Sequence, residues 1–147
     1  MKLFFKEKQN FLTKENKKFI EQVIYGKNFP VFFQEGTTLN DRPKDIMFCH
    51  VVLKRLEQTQ NLKDAINTDD VVYTNTLDIL NNFCKKIGEK PNFYTRIAYN
   101  ITIPNKNNNV LKKIPYKAGK GVCFENLPHY QEYPKFGARI ALVATFI

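Results

Sequence analysis

Histidine is scarce in this chain, tryptophan is missing, and acidic residues are outnumbered by basic ones, 14 to 23. The two histidines are His50 and His129, with no third between them, and no Asp or Glu lies between Glu89 and Glu125. That gap limits any metal chemistry the middle of the chain can support. Three cysteines, Cys49, Cys84 and Cys123, are odd in number, far apart and set in apolar runs. This spacing argues against a disulfide framework and for buried free thiols in a reducing compartment. No stretch approaches the roughly 20 apolar residues needed to span a bilayer. The opening Met-Lys-Leu-Phe-Phe-Lys-Glu returns to charge at once and lacks the apolar region of a signal peptide, so a cytoplasmic protein without membrane contact is expected. Neither an internal repeat nor a linker interrupts the sequence.

What remains fits one domain, residues 1–147, with 43% hydrophobic and 14% aromatic content. A chain of this length buries roughly 70% of its unfolded surface, enough for a core without staples. The net charge of +9 favours anionic partners, nucleic acid among them. Its lysines are dispersed, however, and no Arg-rich helix or aromatic-basic RNA motif groups them.

In chain order, residues 2–6 read as a short edge strand with Leu3 and Phe5 on one face. Thr13 is a plausible N-cap for a helix carrying Phe19, Ile20, Val23 and Ile24 at helical spacing, with Gly26 placed to stop it. Residues 29–34, broken by Pro30, suit an edge strand, and residues 36–44 a loop. The apolar, β-branched run 46–53 suggests a strand buried on both faces, with His50 as a satisfied core residue. The polar, asparagine-rich stretch 55–70 reads as a loop. A second helix is predicted from Thr74 or Asn75 to Ile87, again with a glycine stop at Gly88. Residues 92–103 alternate: Phe93, Ile97, Tyr99, Ile101 and Ile103 on one face, and Tyr94, Arg96, Ala98, Asn100 and Thr102 on the other. A turn-rich break at 104–109, a brief strand at 110–114, a strand at 121–125 and a final strand opened by Arg139 complete the pattern. It is α+β, mainly β, with helices backing one face of a sheet.

The last third also holds a pairing with chemical content. His129 follows one strand and Arg139 heads the next, so both can reach one pocket, one to hold a metal and the other a carboxylate.

These residues carry a family resemblance. The strand Arg96-Ile-Ala-Tyr-Asn-Ile-Thr-Ile-Pro, the segment Lys120-Gly-Val-Cys-Phe-Glu-Asn-Leu-Pro-His129 and Arg139-Ile-Ala-Leu-Val-Ala-Thr-Phe resemble an iron(II)/2-oxoglutarate-dependent dioxygenase. The nearest group is the small prolyl-hydroxylase-like proteins of marine phages. The opening helix and Phe48-Cys-His-Val-Val are similar to that group's front half. The resemblance implies a double-stranded β-helix (jelly roll), shortened here, with residues 1–91 as helical support and outer strands and 92–147 as barrel core. It also implies an oxidoreductase using Fe(II) and 2-oxoglutarate, a phage-encoded protein in its host's cytoplasm, His129 as the distal iron ligand and Arg139 as the anchor of the 2-oxoglutarate C5 carboxylate. Asn100 and Tyr99 correspond to the barrel strand whose side chains touch the cosubstrate.

One departure matters. The family's His-x-Asp pair should follow Ile103, and the sequence holds no such pair; His50 is followed by Val51 and Val52. No catalytic residue can therefore be assigned. Either the barrel has lost its redox chemistry and kept a binding role, with a protein partner or a place in a virion, or a metal-bearing stretch belongs to a longer chain. A basic nucleic-acid-binding module is the third reading. An unknown substrate would accompany 2-oxoglutarate in the active case.

Overall fold

The computed structural model describes residues 4–35, 46–55, 59–102, 118–124 and 138–147. In order these form β1 (Phe5–Gln9), α1 (Lys14–Phe19) continued by a π-helical turn (Ile20–Ile24), β2 (Phe32–Glu35), β3 (Ile46–Leu53), α2 (Leu62–Ala65), α3 (Asp70–Ile87), β4 (Tyr94–Thr102), β5 (Lys120–Phe124) and β6 (Arg139–Phe146). The protein is α+β and mainly β, with every strand pairing antiparallel. Four strands make one sheet in the order β2-β3-β4-β6, and β1 pairs with β5 in a second. The predicted strand at 110–114, the loop at 36–44 and the break at 104–109 lie outside the described residues.

Local chemistry sets the element ends. Thr13 caps α1 reciprocally: its hydroxyl accepts from the Asn16 N–H and the Asn16 side chain accepts from the Thr13 N–H, both at 3.1 Å. Gly26 follows the π turn, as anticipated, for a different reason from the usual left-handed stop. A Cβ there would lie 2.7 Å from the Gln22 carbonyl oxygen and 2.9 Å from that of Val23. Gly88 does end α3 in the left-handed region, φ 74°. Its N–H donates to Lys85 O at 3.3 Å and Glu89 N–H to Cys84 O at 2.9 Å, a Schellman ending.

The stretch read as a loop, 55–70, contains α2 and the start of α3. Asp69 is the actual cap, accepting from Val72 N–H at 2.9 Å, so α3 begins a turn before Thr74. The aspartate pair Asp69-Asp70 both caps the helix and complements its dipole.

One face of the large sheet packs on the helices. Ile97, Tyr99, Val52, Phe19, Ile24, Val72 and Ile79 form the buried centre, with Ile140, Leu142 and Ala144 of β6 against it. Asn16, fully buried, docks α1 on α3 by donating to Asp78 Oδ2 at 2.7 Å and accepting from Asn82 at 3.2 Å. A smaller cluster of Phe83, Cys84 and Cys123 joins β5 to the end of α3. A Cβ at Gly121 would overlap the Phe83 ring, so this glycine is what lets β5 approach the helix.

β3 matches its predicted bounds and lies inside the sheet, and β2 is an edge strand as expected. A bulge at the start of β4 changes one assignment. Tyr94 pairs with Phe146 while Arg96, not Thr95, pairs with Thr145. The extra residue turns Tyr94 to the helix side, where its hydroxyl donates to Asn81 Oδ1 at 2.9 Å, rather than to the face of Arg96, Ala98 and Asn100.

Candidate functional site on the inner sheet face

Strand alternation places Arg96, Ala98, Asn100 and Thr102 on the face of β4 turned away from the helices. Register extends that face across its neighbours. Arg139 lies opposite Thr102, Ala141 opposite Asn100, and Val143 opposite Ala98 on β6; Cys49 lies opposite Asn100 and Val51 opposite Ala98 on β3. The middle is thus lined by small residues, and cations stand at both ends. Ala98 and Cys49 are 0% and 1% exposed, so this face is interior although no helix among the described residues covers it.

Polar groups in this interior are incompletely satisfied. The Oδ1 of Asn100 and the Oγ1 of Thr102 are buried without a hydrogen-bond partner among the described residues. Such atoms cost about 1–3 kcal/mol each when left unmet, and in native proteins they concentrate where something else supplies the partner. Directly across from Thr102, Arg139 opens β6 with its Nε also buried. An arginine fork and a hydroxyl side by side suit a carboxylate, which accepts from both.

The anticipated residues separate on this geometry. Asn100 and Arg139 share the inner face. Tyr99 points the other way into the helical core, 3% exposed, its hydroxyl paired with Thr76 Oγ1 at 2.8 Å and its ring edge-on to Phe29. Strand alternation makes neighbours Tyr99 and Asn100 incompatible as partners in one pocket. Burial pushes the Tyr99 phenol up to about 12, with the Thr76 hydrogen bond working against that rise. His129 lies outside the described residues. Thr102 is the residue that joins Asn100 to Arg139, and its place on the polar side of the alternation is the signal the sequence carries for it.

His50 is the satisfied core histidine expected of it. It is 3% exposed, with Nδ1 at 2.8 Å from Pro30 O and Nε2 at 2.9 Å from Thr68 Oγ1. Both ring nitrogens are thereby engaged, on the helix-side face. A centre with two histidines and one carboxylate needs a second histidine, and His129 is the only other one in the chain. The donor set therefore does not fit the iron site that the resemblance implies. Among the described residues, no group of three or more His, Cys, Asp and Glu is arranged for a metal ion.

All three cysteines are free and buried, and burial raises each thiol above its ordinary range. Protonated thiols of this kind are poor nucleophiles at neutral pH. At the far end of the inner face, Arg96 is half-buried. Burial lowers its proton affinity, the nearby Arg55 charge lowers it further, and the Cys49 thiol acts in the opposite direction.

Comparison with protein-family models, with curated proteins and with solved structures returns no match. Among the described residues no helix is long and apolar enough to cross a membrane.

Proposed function

We propose that this protein is a shortened double-stranded β-helix of the dioxygenase type that binds a keto acid or related carboxylate at Arg139 and lacks the iron-binding pair. The observation that carries the proposal is the juxtaposition of Arg139 with Thr102 and Asn100 on the interior face of the sheet, where Thr102 Oγ1 and Asn100 Oδ1 have no hydrogen-bond partner among the described residues. Arg139 supplies a planar fork to one carboxylate, Thr102 supplies an O–H donor to the same group, and the Asn100 oxygen accepts from a hydroxyl or water of the ligand. The order β3-β4-β6, with β6 closing on β4, agrees with the first and last strands of such a barrel lying side by side. Loss of the metal pair turns a cosubstrate pocket into a binding pocket, so the role is recognition of a small acid or response to it.

Thermal unfolding and calorimetric titration with 2-oxoglutarate in the presence of a chelator test this. A ligand at a hundredfold excess over its Kd stabilises by about 2.7 kcal/mol, and for a domain of this size each kcal/mol raises Tm by about 2–4 °C. Arg139→Ala should abolish the response. Wild-type protein that is indifferent to 2-oxoglutarate and succinate, or an Arg139→Ala variant that still responds, overturns the proposal. An absorption band on anaerobic addition of Fe(II) and 2-oxoglutarate, or succinate formation in air, overturns the claim that iron chemistry has been lost.

A further inference from the structure

Thr102 and Asn100 stand two residues apart on β4, so their side chains leave the same face about 7 Å from one another. Thr102 carries a hydroxyl, which donates or accepts as its neighbour requires. Asn100 differs. The atom it buries in this interior is its carbonyl oxygen Oδ1, an acceptor only, and among the described residues nothing donates to it. Its neighbours in register are Cys49 on β3 and Ala141 on β6. A methyl group cannot donate and a thiol does so weakly. Two residues further along β4, Ala98 faces Val51 and Val143, so that side of Asn100 is apolar.

The partner that Asn100 requires is therefore an N–H or O–H on the ligand. The keto group of a 2-oxo acid does not supply one. It is itself an acceptor, so placing it against Oδ1 sets two electron-rich oxygens face to face and leaves the buried one unmet. A hydroxyl in the same place donates its proton to Oδ1. An ammonium group also donates, but it carries a second positive charge into an interior that already holds the Arg139 guanidinium, at a desolvation cost the hydroxyl avoids.

We infer that the site selects a hydroxy acid over the matching keto acid, with Asn100 as the residue that makes the choice. The ligand's carboxylate lies at Arg139 and Thr102, and its hydroxyl donates to Asn100 Oδ1 further along the strand. Arg139 then sets affinity for acids in general, and Asn100 sets which acid is preferred. This inference rests on the carboxylate reading proposed above and names the class of acid within it.

The test is calorimetric titration of the intact chain, with a chelator present, using three diacids that differ at one carbon: glutarate, 2-oxoglutarate and 2-hydroxyglutarate in both enantiomers. Wild type, Asn100→Leu, Asn100→Asp and Arg139→Ala are compared. Wild type should bind the better enantiomer of 2-hydroxyglutarate about tenfold more tightly than the other two diacids, the worth of one buried hydrogen bond. Asn100→Leu should bind all three alike. Asn100→Asp offers acceptor oxygens only, so the preference should persist while charge repulsion lowers every affinity. Arg139→Ala should weaken all of them. Equal binding of the three by wild type, or a preference for 2-oxoglutarate, with the Arg139 dependence intact, overturns the hydroxy-acid inference and leaves the carboxylate reading standing. Wild type that responds to none of them overturns the carboxylate reading and this inference with it. A preference that survives in Asn100→Leu, or vanishes in Asn100→Asp, overturns the role given to Asn100 Oδ1.

Discussion

Replacing Tyr99 with phenylalanine separates a core residue from a pocket residue. The substitution keeps the ring, its contact with Phe29 and its burial, and deletes only the hydroxyl that meets Thr76 Oγ1 at 2.8 Å. Thr76 is fully buried, so its hydroxyl is left without that partner. The expected loss is about 1–2 kcal/mol at neutral pH, seen as a fall in Tm of about 2–8 °C. The pH dependence gives a second, independent reading. The phenol is held protonated in the folded state up to about 12, while in the unfolded chain it ionises near 10.0. Stability from this group is therefore complete below pH 10 and is lost as pH rises from 10 toward 12, by an amount on the order of 3 kcal/mol. Tyr99→Phe cannot ionise there and lacks that loss. The wild-type advantage at pH 7 should shrink above pH 10 and reverse near pH 12, with all other titrations cancelling in the difference. Denaturant unfolding of both proteins from pH 7 to 12, with 2-oxoglutarate titration at pH 7.5, measures both quantities. Unchanged stability combined with lost ligand binding would refute the placement of Tyr99 in the core.

Thr102→Val should weaken 2-oxoglutarate binding by roughly tenfold while leaving Tm unchanged or raised, because the native hydroxyl has no protein partner to lose; calorimetry and thermal unfolding on the same samples decide it. Gly121→Ala forces a methyl into the Phe83 ring, and an overpacking loss of about 1–3 kcal/mol is expected in urea unfolding. Asn16→Leu leaves Asp78 and Asn82 without their buried partner and should cost about 1–3 kcal/mol in the same assay. Gly88→Ala, at φ 74°, should cost about 1 kcal/mol, whereas Gly88→Asn should cost less.

Much of this architecture can be read from residue order, because it depends on local rules. Thr13 with Asn16 and Gly88 with its two hydrogen bonds are short-range devices, and the 46–53 run and the alternation from Ile97 to Thr102 follow from periodicity. The early start of α3 was hidden because Asp69 sits in an asparagine-rich stretch whose composition reads as loop. Tyr94 faces the opposite way from its place in the alternation because a bulge adds one residue to the count, and no turn residue announces it. Within the candidate site, Asn100 and Arg139 were legible as polar residues on strands. Thr102 was not singled out because its significance lies in register: only pairing with β6 reveals that it faces Arg139.

The pairing of Phe5 with Phe124 has a kinetic consequence. β1 cannot find its partner until nearly the whole length between them has been made and ordered, and β4 likewise waits for β6. Contacts so distant along the chain make loop closure, rather than helix formation, the slow step, and place refolding in the millisecond-to-second range of high-contact-order domains. In that interval α1 and α3 can already be docked through Asn16 while the edge of β4 stands open, so a partner strand supplied in trans has its best opportunity to compete then.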